Sequence, residues 1–215
     1  MKGLLAGCQY IPSAEYFAHW KYHGTLILEG QEHYQKRTWR NKSVIIGPSQ
    51  PLTLSIPLRK GKHQEKPIQE VAISYDEPWN KIHLHSIQTA YGKTAFFEEV
   101  EAAISPLYRE EKEKLWEFNI SLLEQVISLL RGNFSFEISK EYQKGPSTEC
   151  IDIRKGIAAG KSSIEMENGL TYLQVHRPGK TFVPNLSILD VLCHLGPASG
   201  EYLARYAQQL YKQIS

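Results

Sequence analysis

Residues 31–42 combine basic and aromatic side chains in the way that binding sites do. The stretch reads QEHYQKRTWRNK and contains four cations, two aromatic rings and one histidine, against a single acidic residue, Glu32. Arginine can hold a carboxylate or a phosphate through two parallel hydrogen bonds, and lysine adds a point charge. This composition predicts an electropositive site for a small anionic ligand that carries phosphate or carboxylate. A charged edge strand in solvent would have the same composition and remains an alternative.

We call residues 31–42 the basic tract. In an extended backbone, successive side chains of the tract would point to opposite faces. One face would then carry Arg37, Trp39 and Asn41, and the other would carry Lys36, Thr38, Arg40 and Lys42.

Two strands and a helix precede the basic tract and must position it. Residues 3–9 form a short apolar run fit for a buried strand, and residues 25–29, TLILE, form a second one. Between them, Ser13 can cap a helix that Gly24 ends. A strand, a helix and a strand within about thirty residues indicate a βαβ unit. Open α/β sheets bind ligands at the carboxyl ends of their strands, where the basic tract begins.

The remaining pattern predicts an α/β fold, in which a mixed sheet with parallel strands is opened by the βαβ unit and flanked by helices. An α+β fold is the alternative. Further strands are predicted at residues 44–47, 52–58, 67–74, 133–141, 150–154 and 170–176. Helices are predicted at residues 79–91, from 93 or 94 to Pro106, at 110–130 and at 199–214. Residues 1–215 are predicted to form a single domain, with an insert-like segment around 141–169.

Composition excludes several classes of function. The 215 residues carry a net charge of +2, so no overall field favours nucleic acid, and we expect no nucleic-acid partner. The apolar run LLAG near the start is too short for a signal peptide or a membrane span. Cys8, Cys150 and Cys193 are widely spaced and form no disulfide framework, which suits a reducing cytoplasm. The oligomeric state stays open.

Two histidines in the predicted helix 79–91 raise the question of a metal site. His83 and His85 are two positions apart, so their side chains diverge by about 200° on a helix and cannot share one ion. We therefore predict no metal site, and no sequence motif identifies a cofactor. His83 can instead accept a proton, because the pKa of histidine is near neutral, or it can pack at an interface.

Four stretches, at residues 9–17, 31–61, 79–91 and 182–197, resemble the WbqC-like family. The basic tract is similar to the family's signature, although Lys42 replaces an arginine there. The predicted helix 79–91 has the family's spacing of Trp, His and an Ala-Tyr pair. Residues 182–192, FVPNLSILDVL, resemble the family's ending, where Ser187 and Asp190 can also form a helix-capping box.

The resemblance implies a role in the biosynthesis of surface polysaccharide of the O-antigen type. It suggests a transferase that moves an amino acid such as glycine to a sugar. The alternative is a non-catalytic protein that binds a nucleotide-sugar or a polysaccharide intermediate. His33 and His83 are the candidate catalytic proton acceptors. The candidate substrate-binding residues are Tyr10, Tyr34, Gln35, Lys36, Arg37, Arg40, Asn41, Tyr91 and Asn185.

Overall fold

A four-stranded parallel sheet stands at the centre of the computed structural model, which describes residues 3–61, 66–145, 150–155, 157, 163–166, 170–175 and 181–214. The strands are β1 (Gly3–Gly7), β2 (Thr25–Glu29), β3 (Lys42–Ile45), β4 (Leu52–Ser55), β5 (Ser135–Ile138) and β6 (Cys150–Asp152). The helices are α1 (Ala14–His23), α2 (Trp79–Tyr91), α3 (Phe97–Arg109), α4 (Leu115–Leu130), α5 (Ile188–Leu195) and α6 (Ser199–Ile214). The order across the parallel sheet is β5-β2-β1-β6, while β3 and β4 pair in a separate antiparallel hairpin. The predicted mixed α/β fold is confirmed.

The structure contains the predicted βαβ unit at the start of the chain. β1 and β2 run parallel, with Leu4 beside Leu26 and Gly7 beside Glu29. The two leucines are completely buried, and α1 packs against both strands. α1 ends at Gly24, whose φ of 80° is readily adopted only by glycine. The unit therefore delivers the basic tract to the carboxyl edge of the sheet, as the sequence predicts.

The basic tract is not an extended strand, so the predicted division of its side chains between two faces is wrong. Residues 31–41 form successive turns, Arg37 adopts a φ of 61°, and β3 begins only at Lys42. An ion pair between Arg40 and Glu32, whose side chains are both buried, connects the two ends of this turning segment. In a straight strand, residues 32 and 40 would lie about 26 Å apart, so the pair can form only if the chain folds back.

Other predicted elements also differ in the structure. Residues 67–74 contain a 3-10 turn at Ile68–Glu70 and isolated bridges instead of a strand. α3 continues past Pro106, because a proline in the last turn removes only one helical hydrogen bond. Residues 170–175 form no strand, and His176 lies outside the described residues.

The hydrophobic core lies between the central sheet and the helices. Tyr10, Trp20 and Phe118 are among its largest fully buried side chains. The three cysteines all belong to the described part of the chain, where they are buried and form no disulfide. None of the helices within the described ranges has both the length and the apolar character needed to cross a bilayer.

Candidate functional site

A cavity lies at the carboxyl ends of the parallel strands, at the point where the connections between strands change direction. β2 lies on one side of β1 and β6 lies on the other, an arrangement at which open α/β sheets bind ligands. The cavity has a volume of about 190 Å³. Its lining combines part of the basic tract with Gly7 at the end of β1, with Gln9 after it, and with Arg154, Lys155 and Ile157 after β6.

Two larger cavities adjoin the first one. A cavity of about 620 Å³ is lined by residues of the basic tract, including His33, Tyr34 and Lys36, together with Tyr142. A cavity of about 410 Å³ is lined mainly by residues that follow β5 and β6, including Tyr142, Lys144, Arg154 and Lys155. Gln35 lines all three cavities. We call the three cavities together the cleft.

The buried ion pair between Arg40 and Glu32 forms part of the cleft wall. Arg40 donates to the Glu32 carboxylate from Nε at 2.7 Å and also from Nη2. Gly7 allows this approach, because a Cβ atom at that position would lie 3.1 Å from Glu32 Oε1 and 3.2 Å from Arg40 Nη2. The backbone carbonyl of Arg40 also accepts a hydrogen bond of 2.8 Å from Asn119. The Arg40 charge is therefore already balanced inside the protein.

Arg154 is a second anchored cation at the cleft. Its Nε and Nη2 atoms donate to Asp152, and its Nη1 donates to Glu29 at 3.3 Å and to the Gln143 carbonyl at 2.9 Å. Burial opposes the ionisation of Asp152, but the hydrogen bonds from Arg154 outweigh it and lower the pKa of the carboxyl. Glu29 is completely buried and also accepts from Ser139 at 2.6 Å. The network fixes Arg154 between β2 and β6.

Four other cations around the cleft are exposed to solvent. Lys36, Arg37, Lys144 and Lys155 make no hydrogen bond or ion pair with any other described residue. Three segments that are distant in sequence thus bring exposed positive charge to one opening. Within the described ranges, no group of three or more His, Cys, Asp and Glu side chains is arranged to hold a metal ion. The arrangement suits an anion held by charge-assisted hydrogen bonds.

The structure brings six of the predicted site residues to the cleft. His33, Tyr34, Gln35, Lys36, Arg37 and Arg40 all line it. Asn41 is buried behind them, where it accepts a hydrogen bond from the Tyr34 hydroxyl at 3.0 Å and donates to the Ile56 carbonyl at 2.9 Å. A binding role for these residues remains a prediction.

Tyr10 and His83 lie in the core and do not line the cleft. The Tyr10 hydroxyl lies 2.9 Å from His83 Nδ1 and 2.6 Å from the Tyr108 hydroxyl. Burial lowers the pKa of His83 to about 4, so this imidazole is neutral at neutral pH. The catalytic role predicted for His83 remains a prediction, and the structure does not bring it together with His33.

Tyr91 and Asn185 support the fold at other places. The buried Tyr91 hydroxyl accepts a hydrogen bond of 3.2 Å from the backbone of Ile46. Asn185 Oδ1 accepts a hydrogen bond of 2.9 Å from the backbone N–H of Glu15, in the first turn of α1. Ser13 makes no side-chain cap, so the amide of Asn185 takes the place that the sequence predicted for Ser13.

The predicted capping box at Ser187 and Asp190 is wrong. Ser187 makes no side-chain hydrogen bond to the first turn of α5. The Asp190 carboxylate instead accepts from the Tyr172 hydroxyl at 2.5 Å and from Gln174 Nε2 at 3.0 Å. Burial raises the pKa of Asp190.

Several residues of the cleft could not be recognised in the sequence. They are Gly7, Gln9, Tyr142, Lys144, Asp152, Arg154 and Lys155, together with Glu29, which does not line the cleft but accepts a hydrogen bond from Arg154. The available signal was a charged pair, Asp152 and Arg154, within the short strand predicted at residues 150–154. This signal is informative only once β6 is known to pair with β1, because the two strands are not adjacent in sequence.

The sequence matches the WbqC-like protein family over residues 8–174. The chain belongs to the WbqC-like protein family. The matched range includes the whole basic tract and the cleft residues that follow β5 and β6, while residues 182–192 lie beyond it. This WbqC-like chain is also 26% identical over 231 aligned residues to "Uncharacterized protein Rv1507c" of Mycobacterium tuberculosis, covering 93% of this chain and 96% of that protein. No solved structure matches the chain.

Proposed function

We propose that the cleft binds a small anionic molecule, and that the chain transfers an amino acid such as glycine to a sugar in O-antigen-type polysaccharide biosynthesis. The observation that supports binding is the position of Arg37 and Lys155. They line one cavity from two different segments, at the carboxyl edge between β1 and β6, and each is exposed. Membership of the WbqC-like family supports the biosynthetic role.

The chemistry of the proposal is acyl transfer. An amine or hydroxyl group of the sugar attacks the carbonyl carbon of an activated aminoacyl donor. A new C–N or C–O bond forms, and the leaving group of the donor departs with the electron pair of the broken bond. Positioned cations such as Lys36 and Arg37 stabilise the negative charge that develops on oxygen. His33, which lines the same cavity as Lys36, accepts the proton of the attacking group.

The cytoplasm is the compartment that fits this proposal. Nucleotide-activated sugars and activated amino acids are anionic or polar molecules. The cleft is lined by cations that are exposed to solvent, which suits ligands of this kind. Cys8, Cys150 and Cys193 are buried thiols without a disulfide, which is usual in a reducing compartment.

A non-catalytic binding protein is the second candidate. The observation that favours it is the burial of His83, one of the two candidate proton acceptors, in a cluster with Tyr10 and Tyr108. In this case the cleft would hold a nucleotide-sugar or a polysaccharide intermediate without changing it.

Two measurements on the full chain test the proposal. Calorimetric titration with pyrophosphate should show binding, and the double variant Arg37→Ala/Lys155→Ala should weaken it at least tenfold. Lys81→Ala is the matched control, because Lys81 is an exposed cation on α2 and does not line the cleft. Unchanged affinity in the double variant would place the anion site elsewhere.

The second measurement separates the two candidates. The chain is incubated with activated glycyl donors and nucleotide-sugars, and the products are analysed by mass spectrometry. The transferase should add one glycyl group to the sugar, and His33→Gln should lower the rate about a hundredfold, the lower range for loss of a general base. Binding of the sugar nucleotide without any product after hours would favour the binding protein.

A further inference from the structure

A tyrosine ring stands exposed in the wall that two of the cavities share. Tyr142 lines both the cavity of about 620 Å³ and the cavity of about 410 Å³, and the residue is 48% exposed. Tyr34 lines the first cavity too, but it is only 4% exposed and its hydroxyl is bonded to Asn41. Tyr142 is therefore the better placed of the two rings to contact a ligand.

The ring of Tyr142 rests on a fixed cation. The guanidinium carbon of Arg154 lies 5.5 Å from the ring centroid. Asp152, Glu29 and the Gln143 carbonyl hold that guanidinium in place. The backbone N–H of Gln143, the next residue after Tyr142, also donates to Glu29 at 3.1 Å. The backbone next to Tyr142 is thus bonded directly to the buried Glu29 carboxylate, and the ring is connected to it through Arg154. Little conformational freedom would therefore be lost when a ligand stacks on the ring.

Exposed cations line both of the cavities that Tyr142 lines. Lys36 shares the larger cavity with Tyr142, while Lys144 and Lys155 share the other one. Both cavities fall within the roughly 300–1,000 Å³ that is usual for sites of drug-sized ligands. An inorganic phosphate or a free amino acid would leave most of this space and the Tyr142 ring without contacts.

From this arrangement, and resting on the proposed anion site, we infer that the ligand of the cleft is a nucleotide. Its base stacks on Tyr142, and its phosphates reach the exposed cations Arg37 and Lys155. Stacking on an aromatic side chain tolerates any base, because every base has a π face. The structure thus predicts that the cleft recognises a nucleoside diphosphate group and discriminates only weakly among the bases.

Calorimetric titration of the full chain with UDP, ADP and pyrophosphate tests the inference. UDP and ADP should each bind about tenfold more tightly than pyrophosphate, a difference within the usual contribution of one base–aromatic stack. Tyr142→Ala should abolish this difference while keeping the affinity for pyrophosphate within about twofold. Tyr142→Phe, which keeps the ring, should retain the preference for nucleotides.

The outcomes distinguish a failure of this inference from a failure of the proposed anion site on which it rests. If the wild-type chain binds pyrophosphate as tightly as UDP and ADP, the base-stacking role of Tyr142 is refuted and the anion site stands. A nucleotide preference that survives in Tyr142→Ala also refutes it. If none of the three compounds binds, both the inference and the anion site fail.

Discussion

The Arg40 guanidinium and the Glu32 carboxylate form an ion pair in which each side chain is only 3% exposed. Two atoms of the guanidinium donate to the carboxylate, and Gly7 leaves the space in which they meet. The pair closes the turn that carries residues 33–39, several of which line the cleft. The basic residues of the tract therefore have different roles. Arg40 stabilises the turn, while Lys36 and Arg37 face solvent.

We expect Arg40→Ala to destabilise the protein strongly. Removing one partner of a buried ion pair leaves the other charge buried without compensation, which typically lowers the free energy of unfolding by about 3–5 kcal/mol. Unfolding in urea, followed by circular dichroism, measures this change. The control is the double variant Arg40→Met/Glu32→Leu, which removes both charges and should lose much less stability. A loss below about 1 kcal/mol in Arg40→Ala would contradict the structural role of the pair.

The binding of pyrophosphate should depend on salt through Arg37 and Lys155. Both side chains are exposed, so mobile ions screen them, and raising the salt from about 0.05 M to about 0.5 M should weaken binding. Arg37→Ala and Lys155→Ala should each show a shallower salt dependence than the wild type, with stability changed by less than about 0.5 kcal/mol. Titration calorimetry at several salt concentrations measures the slope. Lys81→Ala should keep the wild-type slope, and a slope unchanged in both cleft variants would argue against contact with the anion.

Asn185 should contribute to stability as the cap of α1. Its Oδ1 accepts from the Glu15 backbone N–H, and its φ of 52° is one that asparagine and glycine tolerate better than alanine does. Asn185→Ala loses the cap and adds backbone strain, so thermal or urea unfolding should show a loss of about 2 kcal/mol. Asn185→Gly keeps the backbone conformation and should lose less. Equal stability of the wild type and Asn185→Ala would show that the cap has no energetic role.

The stability of the protein should fall on acidification because of His83. Burial lowers its pKa to about 4 from an ordinary value of 6.5, so between these values the unfolded chain binds a proton that the folded chain does not. This contribution is fully present above pH 6.5 and is lost as the pH falls towards 4. By pH 5, about 2 kcal/mol of this contribution has been lost.

Urea unfolding at pH 7 and pH 5 tests the role of His83. His83→Gln should reduce the difference between the two pH values, whatever its effect on stability at pH 7. Part of the difference should remain, because burial also lowers the pKa of His19 to about 4. His85→Gln is the matched control, because His85 is exposed on the same helix and should leave the difference unchanged. If His83→Gln retains the full wild-type difference, the acid sensitivity comes from other groups.

Local patterns in the sequence were enough to predict several elements. β2 covers residues 25–29 and α2 covers residues 79–91, as predicted. Both have a clear signal: an apolar run followed by a glycine in the first case, and apolar residues at helical spacing in the second. Residues 67–74 lacked such a signal, because their apolar alternation also fits the turn and isolated bridges that the structure contains.

The sequence by itself determined the family, the α/β fold class and the position of the basic tract at the carboxyl edge of the sheet, because each depends on residues that are close together in the chain. The tertiary structure alone decided which cations are available to bind a ligand. Glu32 neutralises Arg40 across a turn, and Asp152 and Glu29 hold Arg154 across two strands. It also brought Tyr142 and Lys155 to cavities that the tract lines, since β5 pairs with β2, and β6 pairs with β1 from 147 residues away in sequence. Pairing between distant segments follows from burial and packing of the whole chain, which a reading of neighbouring residues cannot supply.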